Sequence, residues 1–205
     1  SLLEEIPSSR FDWQAHYDPT GQKPDTFRSR FGGFIPDCRG FDPAFFGVLP
    51  READWMDPRL RLLLMSTYQT LEDAGYAPSS LAGSNTGVFI ALEANEYVKT
   101  LEAAGLGDEV SLGHLDPLVA NRISYCLDLR GPSEVINTLC SGAAVALHRA
   151  VSALRAGEIS HALVGAANLL LRPETFVALS SSGQLSASDS VRSFGRDPRG
   201  FLRAE

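Results

Sequence analysis

The pattern of apolar and polar positions predicts a series of helices and strands after residue 57. Apolar residues recur every three or four positions between Leu60 and Leu71, which predicts a core-facing helix that Asp57 caps and Pro58 opens. Arg59 and the other charged residues of this helix are expected to lie mostly on its other faces.

Short apolar runs rich in β-branched and aromatic residues predict the strands. The predicted strands span 86–91, 133–138 and 160–168, and further helices are predicted over 95–106, 117–125, 141–156 and 173–179. Asp116 is expected to cap the helix over 117–125. Because strands alternate with helices, the pattern indicates an α/β fold in which helices pack on a sheet.

The two ends of the chain carry a different pattern. Proline and glycine interrupt residues 1–50 so often that a packed surface arm is favoured over repeated helices. Its many aromatic side chains indicate that the arm is anchored on a core. Residues 183–205, rich in glycine and serine, are predicted to form a loop.

Composition narrows the class of protein. The chain has 205 residues, of which 44% are hydrophobic and 21% charged, and no apolar run is long enough to span a membrane. The start of the chain has no charged-then-apolar leader, so a cytoplasmic location is expected. The net charge of -7 makes nucleic acid an unfavourable partner. The spacing of Cys38, Cys126 and Cys140 fits neither a disulfide framework nor a metal site.

Cys140 stands where an apolar strand turns into a helix. At a helix start, unpaired backbone N–H groups and the helix dipole favour the thiolate, which is the nucleophilic form of cysteine. Small residues follow at Ser141, Gly142 and Ala143 and leave room for a substrate. Spacing alone leaves open the alternative that Cys140 is an inert core cysteine.

The segment Asn137-Thr138-Leu139-Cys140-Ser141 resembles the nucleophile turn of β-ketoacyl synthases, the thiolase-fold condensing enzymes of fatty acid and polyketide synthesis. Further segments resemble the ketosynthase domains of modular polyketide synthases, namely 31–35, 41–47, 50–53, 71–75 and 120–125. The arm at 16–24 is most similar to the type whose modules lack their own acyltransferase. The resemblance implies a thiolase-like fold, layered α/β/α.

The same resemblance implies a chemistry. Cys140 would take an acyl group from a thioester on the phosphopantetheine arm of an acyl carrier protein, and the enzyme would then elongate the chain by decarboxylative Claisen condensation. It implies no metal and no directly bound cofactor, the carrier protein as partner, and a homodimer in which strand 133–137 lies at the interface.

The match covers only the N-terminal half of such a domain. The first strand and the C-terminal half, with its two catalytic histidines, are expected to lie outside residues 1–205. His16, His114, His148 and His161 match no catalytic position of the family. The chain is therefore interpreted as a partial ketosynthase domain, an acyltransferase that is active only with the missing half and does not fold stably alone.

Several residues depart from the family pattern and keep alternatives open. Asn137 replaces an aspartate, Leu139 an alanine and Gly195 an aspartate, and Gly142-Ala143-Ala144 replaces Ser-Ser-Leu. Leu139 adds bulk beside the sulfur, which would narrow the acyl pocket or mark a domain that does not elongate. The rival hypothesis is a scaffold that loads acyl chains without condensing them, and an unrelated thiol hydrolase ranks third.

Overall fold

The structure, a computed structural model, describes residues 3–106 and 114–205. Its strands are β1 (Leu3–Glu5), β2 (Phe31–Gly33), β3 (Thr86–Leu92), β4 (Ser133–Ile136), β5 (His161–Ala167) and β6 (Arg203–Ala204). Its helices are α1 (Pro50–Trp55), α2 (Pro58–Asp73), α3 (Glu96–Ala103), α4 (Pro117–Cys126), α5 (Gly142–Arg155) and α6 (Glu174–Ser181). The chain forms two compact units: Asp37–Asn168, called the central unit here, and the terminal unit, which combines the residues up to Pro36 with Leu169–Glu205.

A parallel sheet in the order β4-β3-β5 organises the central unit. Every residue of β3 is buried, because helices cover both faces of the sheet. Val88, Ile90 and Leu92 face the core formed with α2 and α4, whereas Phe89 and Ala91 face α5. The layered α/β/α arrangement that the sequence predicts is therefore confirmed in this unit.

The start of α2 confirms one prediction and overturns another. Asp57 caps the helix, and its carboxylate accepts a hydrogen bond from the Arg59 backbone N–H at 2.8 Å. Arg59, expected away from the core, is instead buried, with 3% of its side chain exposed. Its guanidinium compensates for the burial because it lies 2.7 Å from Asp57 and donates to the Glu93 carbonyl at 2.9 Å.

The prediction that the Asp116 side chain caps α4 is wrong. It precedes the helix, but its side chain makes no capping hydrogen bond and accepts one from Arg59 at 3.3 Å instead. Arg59 thus links the start of α2 to the start of α4 and to the residue that follows β3.

The terminal unit is built around a small sheet in which β2 pairs antiparallel with β1 and parallel with β6. Strand β6 lies within the segment predicted to be a loop, so that prediction is wrong at its end. Phe27 and Phe176 are fully buried in the core of this unit. The aromatic residues of the arm in this unit are therefore anchored, as predicted, and the described part of the arm from residue 3 onward contributes two three-residue strands.

Two buried carboxylates fix the loops of the terminal unit. Glu205 pairs with Arg10 at 2.7 Å and accepts hydrogen bonds from the backbone N–H groups of Ile35 and Leu170. Asp18 accepts hydrogen bonds from the backbone N–H of Lys23 and the hydroxyl of Thr20, and these bonds lower its pKa well below the usual range.

Candidate active site

Cys140 lies on a tight turn between β4 and α5. A single 3-10 turn, Leu139–Ser141, contains the cysteine, and the α-helix begins only at Gly142. The predicted helix over 141–156 is thus observed over 142–155. The thiol precedes the first helical residue by two positions, and its residue is exposed to solvent. A thiol at this place is open to solvent and can therefore be reached by a substrate.

Side chains of the turn itself hold it in place. The Asn137 carboxamide oxygen accepts a hydrogen bond from the Leu139 backbone N–H at 3.3 Å. The Ser141 hydroxyl lies 2.9 Å from both the carbonyl and the hydroxyl oxygen of Thr138. Asn137, one of the departures from the family pattern, therefore has a structural role on the strand side of Cys140.

The helix that follows the turn is anchored on the central strand. Ala146, Ala150 and Ala153 form the buried stripe of α5, and they pack with Phe89 and Ala91 of β3. The alanines of α5 and Ala91 of β3 are small enough to let the helix approach the sheet closely.

Gly142 is part of the same close approach. A Cβ atom at this position would lie 3.2 Å from the Ala91 side chain, so the serine that the family pattern carries here would be crowded.

The parallel sheet brings the ends of β3 and β5 to the same edge as Cys140, which follows β4. In register, Ala91 of β3 lies opposite Ile136 of β4 and Ala166 of β5, and parallel strands all end at the same edge. Glu93 therefore follows the central strand, at the edge where the turn Leu139–Ser141 follows β4. Arg59 fixes the Glu93 carbonyl there, and the sequence carried no signal for this contact because charged residues on helices are mostly exposed.

Within the described part of the central unit, neither His148 nor His161 is placed to act as a base for Cys140. His148 is exposed on α5, two turns beyond the thiol. His161 begins β5 and thus lies at the opposite edge of the sheet, about 20 Å away by the rise of a seven-residue strand. His114 is buried, and burial lowers its pKa below the ordinary histidine value.

The other two cysteines lie in settings unlike that of Cys140. Cys38 is buried, with 2% of its surface exposed. Cys126 ends α4 and is half-buried, and burial raises the pKa of its thiol. A raised pKa leaves less thiolate at neutral pH, so Cys126 is the poorer nucleophile expected from its place in an apolar helix.

A cavity of about 610 Å³ lies between α1 and α4, lined by Trp55, Leu118, Arg122 and Tyr125 among others. Its described lining includes no residue of the turn Leu139–Ser141. Among residues 3–106 and 114–205, no three histidine, cysteine, aspartate or glutamate side chains are grouped closely enough to hold a metal ion. No helix in the described ranges has the length and apolar character needed to cross a membrane.

Comparison with known proteins gives a consistent family. Polyketide synthase PksR of Bacillus subtilis is 42% identical over 207 residues, which span all of this chain and 7% of that protein. A phenolphthiocerol/phthiocerol polyketide synthase of Mycobacterium tuberculosis is 40% identical, across the whole chain and 14% of the relative. The chain therefore spans only a small part of the curated relatives that it matches.

Solved ketosynthases share the fold. The oxazolomycin ketosynthase domain of Streptomyces albus JA3453 superposes with a TM-score of 0.88 at 34% identity, over 98% of this chain and 36% of that one. The ketosynthase from module 6 of the bacillaene synthase of Bacillus subtilis 168 gives 0.86 at 35% identity, over 98% and 33%. The likeness confirms the predicted thiolase-like fold and covers about a third of each solved chain.

The family model of the β-ketoacyl synthase N-terminal domain matches residues 1–205. This match, the polyketide synthase relatives and the shared fold all agree with the cysteine turn at Cys140: the chain belongs to the β-ketoacyl synthase family, as the N-terminal part of a polyketide synthase ketosynthase domain.

Proposed function

We propose that Cys140 is the acyl-accepting nucleophile of this ketosynthase domain. The observation that carries the proposal is the exposed thiol on a braced turn that follows the parallel strand β4 and leads into α5. Cys38 and Cys126 lack that combination, since one is buried and the other has a raised pKa. Family membership supports a thioester as the substrate class.

The loading step is a thioester exchange. The Cys140 sulfur forms a bond to the acyl carbonyl carbon, and the bond from that carbon to the pantetheine sulfur of an acyl carrier protein breaks. The carrier thiol leaves with the proton that the Cys140 thiol gives up. Backbone N–H groups at the start of α5, together with that of Cys140 itself, would stabilise the transient oxyanion.

Chain elongation would follow in the complete domain. Decarboxylation of a malonyl thioester would give a carbanion that attacks the acyl carbonyl carbon and releases the Cys140 thiolate, with histidines outside this chain stabilising the enolate. The carrier protein, the remaining part of the domain and a second copy of the domain are the proposed partners. A cytoplasmic location and the lack of an in-module acyltransferase stay predictions.

Mass spectrometry of the complete domain tests the proposal. After incubation with an acyl thioester, we expect one acyl adduct on the wild type and on Cys126→Ala, and none on Cys140→Ala. Acylation that persists in Cys140→Ala would refute the assignment. Addition of malonyl carrier protein should then give a β-ketoacyl product, whereas loading without a new carbon–carbon bond would favour a non-elongating domain.

A further inference from the structure

Leu139 has a backbone conformation that its side chain does not favour. Its φ angle is +54°, in the left-handed region where a side chain other than that of glycine, asparagine or aspartate is uncommon. Two of the other non-glycine residues with positive φ in the described ranges are aspartates, Asp25 and Asp128, which tolerate this region. A conformation of this kind is unfavourable and persists only where the surroundings impose it.

Burial of the leucine does not explain the conformation. The Leu139 side chain is 68% exposed, so it gains little from the core. Two contacts of the turn impose the backbone angle instead. The Leu139 N–H donates a hydrogen bond to the Asn137 carboxamide oxygen, and Gly142 packs closely against Ala91. The turn thus fixes the backbone of the residue that directly precedes Cys140, and this residue exposes a branched four-carbon side chain.

An acyl group on the Cys140 sulfur begins at the same place. The carbonyl carbon is bonded to the sulfur, and the α-carbon follows directly, so a branch at the α-carbon lies close to the nucleophile turn. Backbone braced by the hydrogen bonds of Asn137 and Ser141 moves away only at a cost. A large side chain at residue 139 therefore competes for space with a branch at the α-carbon of the acyl chain.

We propose that Leu139 sets the acyl specificity of this domain, favouring chains that are unbranched at the α-carbon and excluding α-branched ones. The inference rests on the proposed function, since it requires loading at Cys140. A single methylene in an apolar contact changes discrimination about 10- to 200-fold. Removal of three side-chain carbons in Leu139→Ala is expected to shift the specificity by at least the lower figure.

The test compares loading rates of the complete domain with two N-acetylcysteamine thioesters, butanoyl and α-methylbutanoyl, each followed by mass spectrometry. In Leu139→Ala the ratio of branched to unbranched loading should rise about tenfold or more over the wild type, and Leu139→Gly, which also relieves the backbone strain, should shift it in the same direction. Leu139→Met keeps most of the bulk and should keep a ratio near that of the wild type. Leu147→Ala removes an equally apolar side chain that is 56% exposed on α5 and should leave the ratio unchanged.

The test distinguishes a wrong role for Leu139 from a wrong assignment of Cys140 as the acyl-accepting residue. Loading at Cys140 with the same ratio in the wild type, Leu139→Ala and Leu139→Gly overturns the role of Leu139 and leaves the nucleophile in place. Absence of loading at Cys140 with either thioester overturns the proposed function, and the inference with it.

Discussion

Replacement of Arg59 by methionine should destabilise the central unit far more than loss of an exposed arginine. Methionine fills much of the same space but leaves the Asp57 carboxylate, of which 5% is exposed, without its charged partner. Breaking a buried pair in this way costs about 3–5 kcal/mol of unfolding free energy. The Glu93 carbonyl and Asp116 also lose a donor.

A matched control lies on the same unit. Arg130 pairs with Asp128 at 2.5 Å, but 67% of the arginine and 53% of the aspartate side chain are exposed. Water screens this pair, so Arg130→Met should cost only about 0–1 kcal/mol. The two variants remove the same group and differ mainly in burial.

Urea unfolding of the complete domain, followed by tryptophan fluorescence, measures both effects. A second comparison adds Asp57→Asn to Arg59→Met, which removes the uncompensated charge but keeps a side-chain oxygen for the helix cap. The loss of unfolding free energy in the double variant should be smaller than the sum of the losses in the two single variants. Equal stability of Arg59→Met and Arg130→Met, or strictly additive losses, would refute the reasoning.

Four further predictions concern acid titration, the isolated chain and assembly. Hydrogen bonds lower the pKa of Asp18, so its contribution to the unfolding free energy is full above about pH 4 and is lost as the pH falls through the lowered pKa. Asp18→Asn should therefore be less stable than the wild type at neutral pH. The difference in unfolding free energy, measured by urea titration, should narrow only in strong acid. Burial lowers the pKa of His114, so the unfolded state binds the proton first and the unfolding free energy should fall as the pH drops below about 6.5. His114→Phe should reduce this dependence on pH. An unchanged slope of unfolding free energy against pH would contradict the prediction. Residues 1–205 expressed alone expose Leu147, Val164 and Phe194 and should aggregate, whereas a sharp cooperative melt would count against this. The complete domain should be a homodimer with β4 at its interface, and light scattering that gives a monomer at all concentrations would exclude it.

Local sequence determined the elements of this protein that depend on near neighbours. Helical periodicity and a capping aspartate located α2, and a run of β-branched residues located β3, because both signals act within a few residues. The strand–cysteine–helix pattern likewise located the turn at Cys140. The exposure of Cys140 in the fold removes the alternative of an inert core cysteine, and its role as the nucleophile stays a proposal that rests on the family resemblance and on that exposure.

Tertiary structure alone decided the contacts that join distant segments. Arg59 is buried because Asp57, Glu93 and Asp116 meet around it, and no local pattern brings 59, 93 and 116 together. Asp116 binds that arginine instead of capping its helix for the same reason. The two-residue strand β6 exists only because β2 lies beside it. The turn sets the backbone angle of Leu139 against the intrinsic preference of leucine. Prediction from sequence follows the local preference of each residue, so it misses a conformation that the surrounding structure imposes.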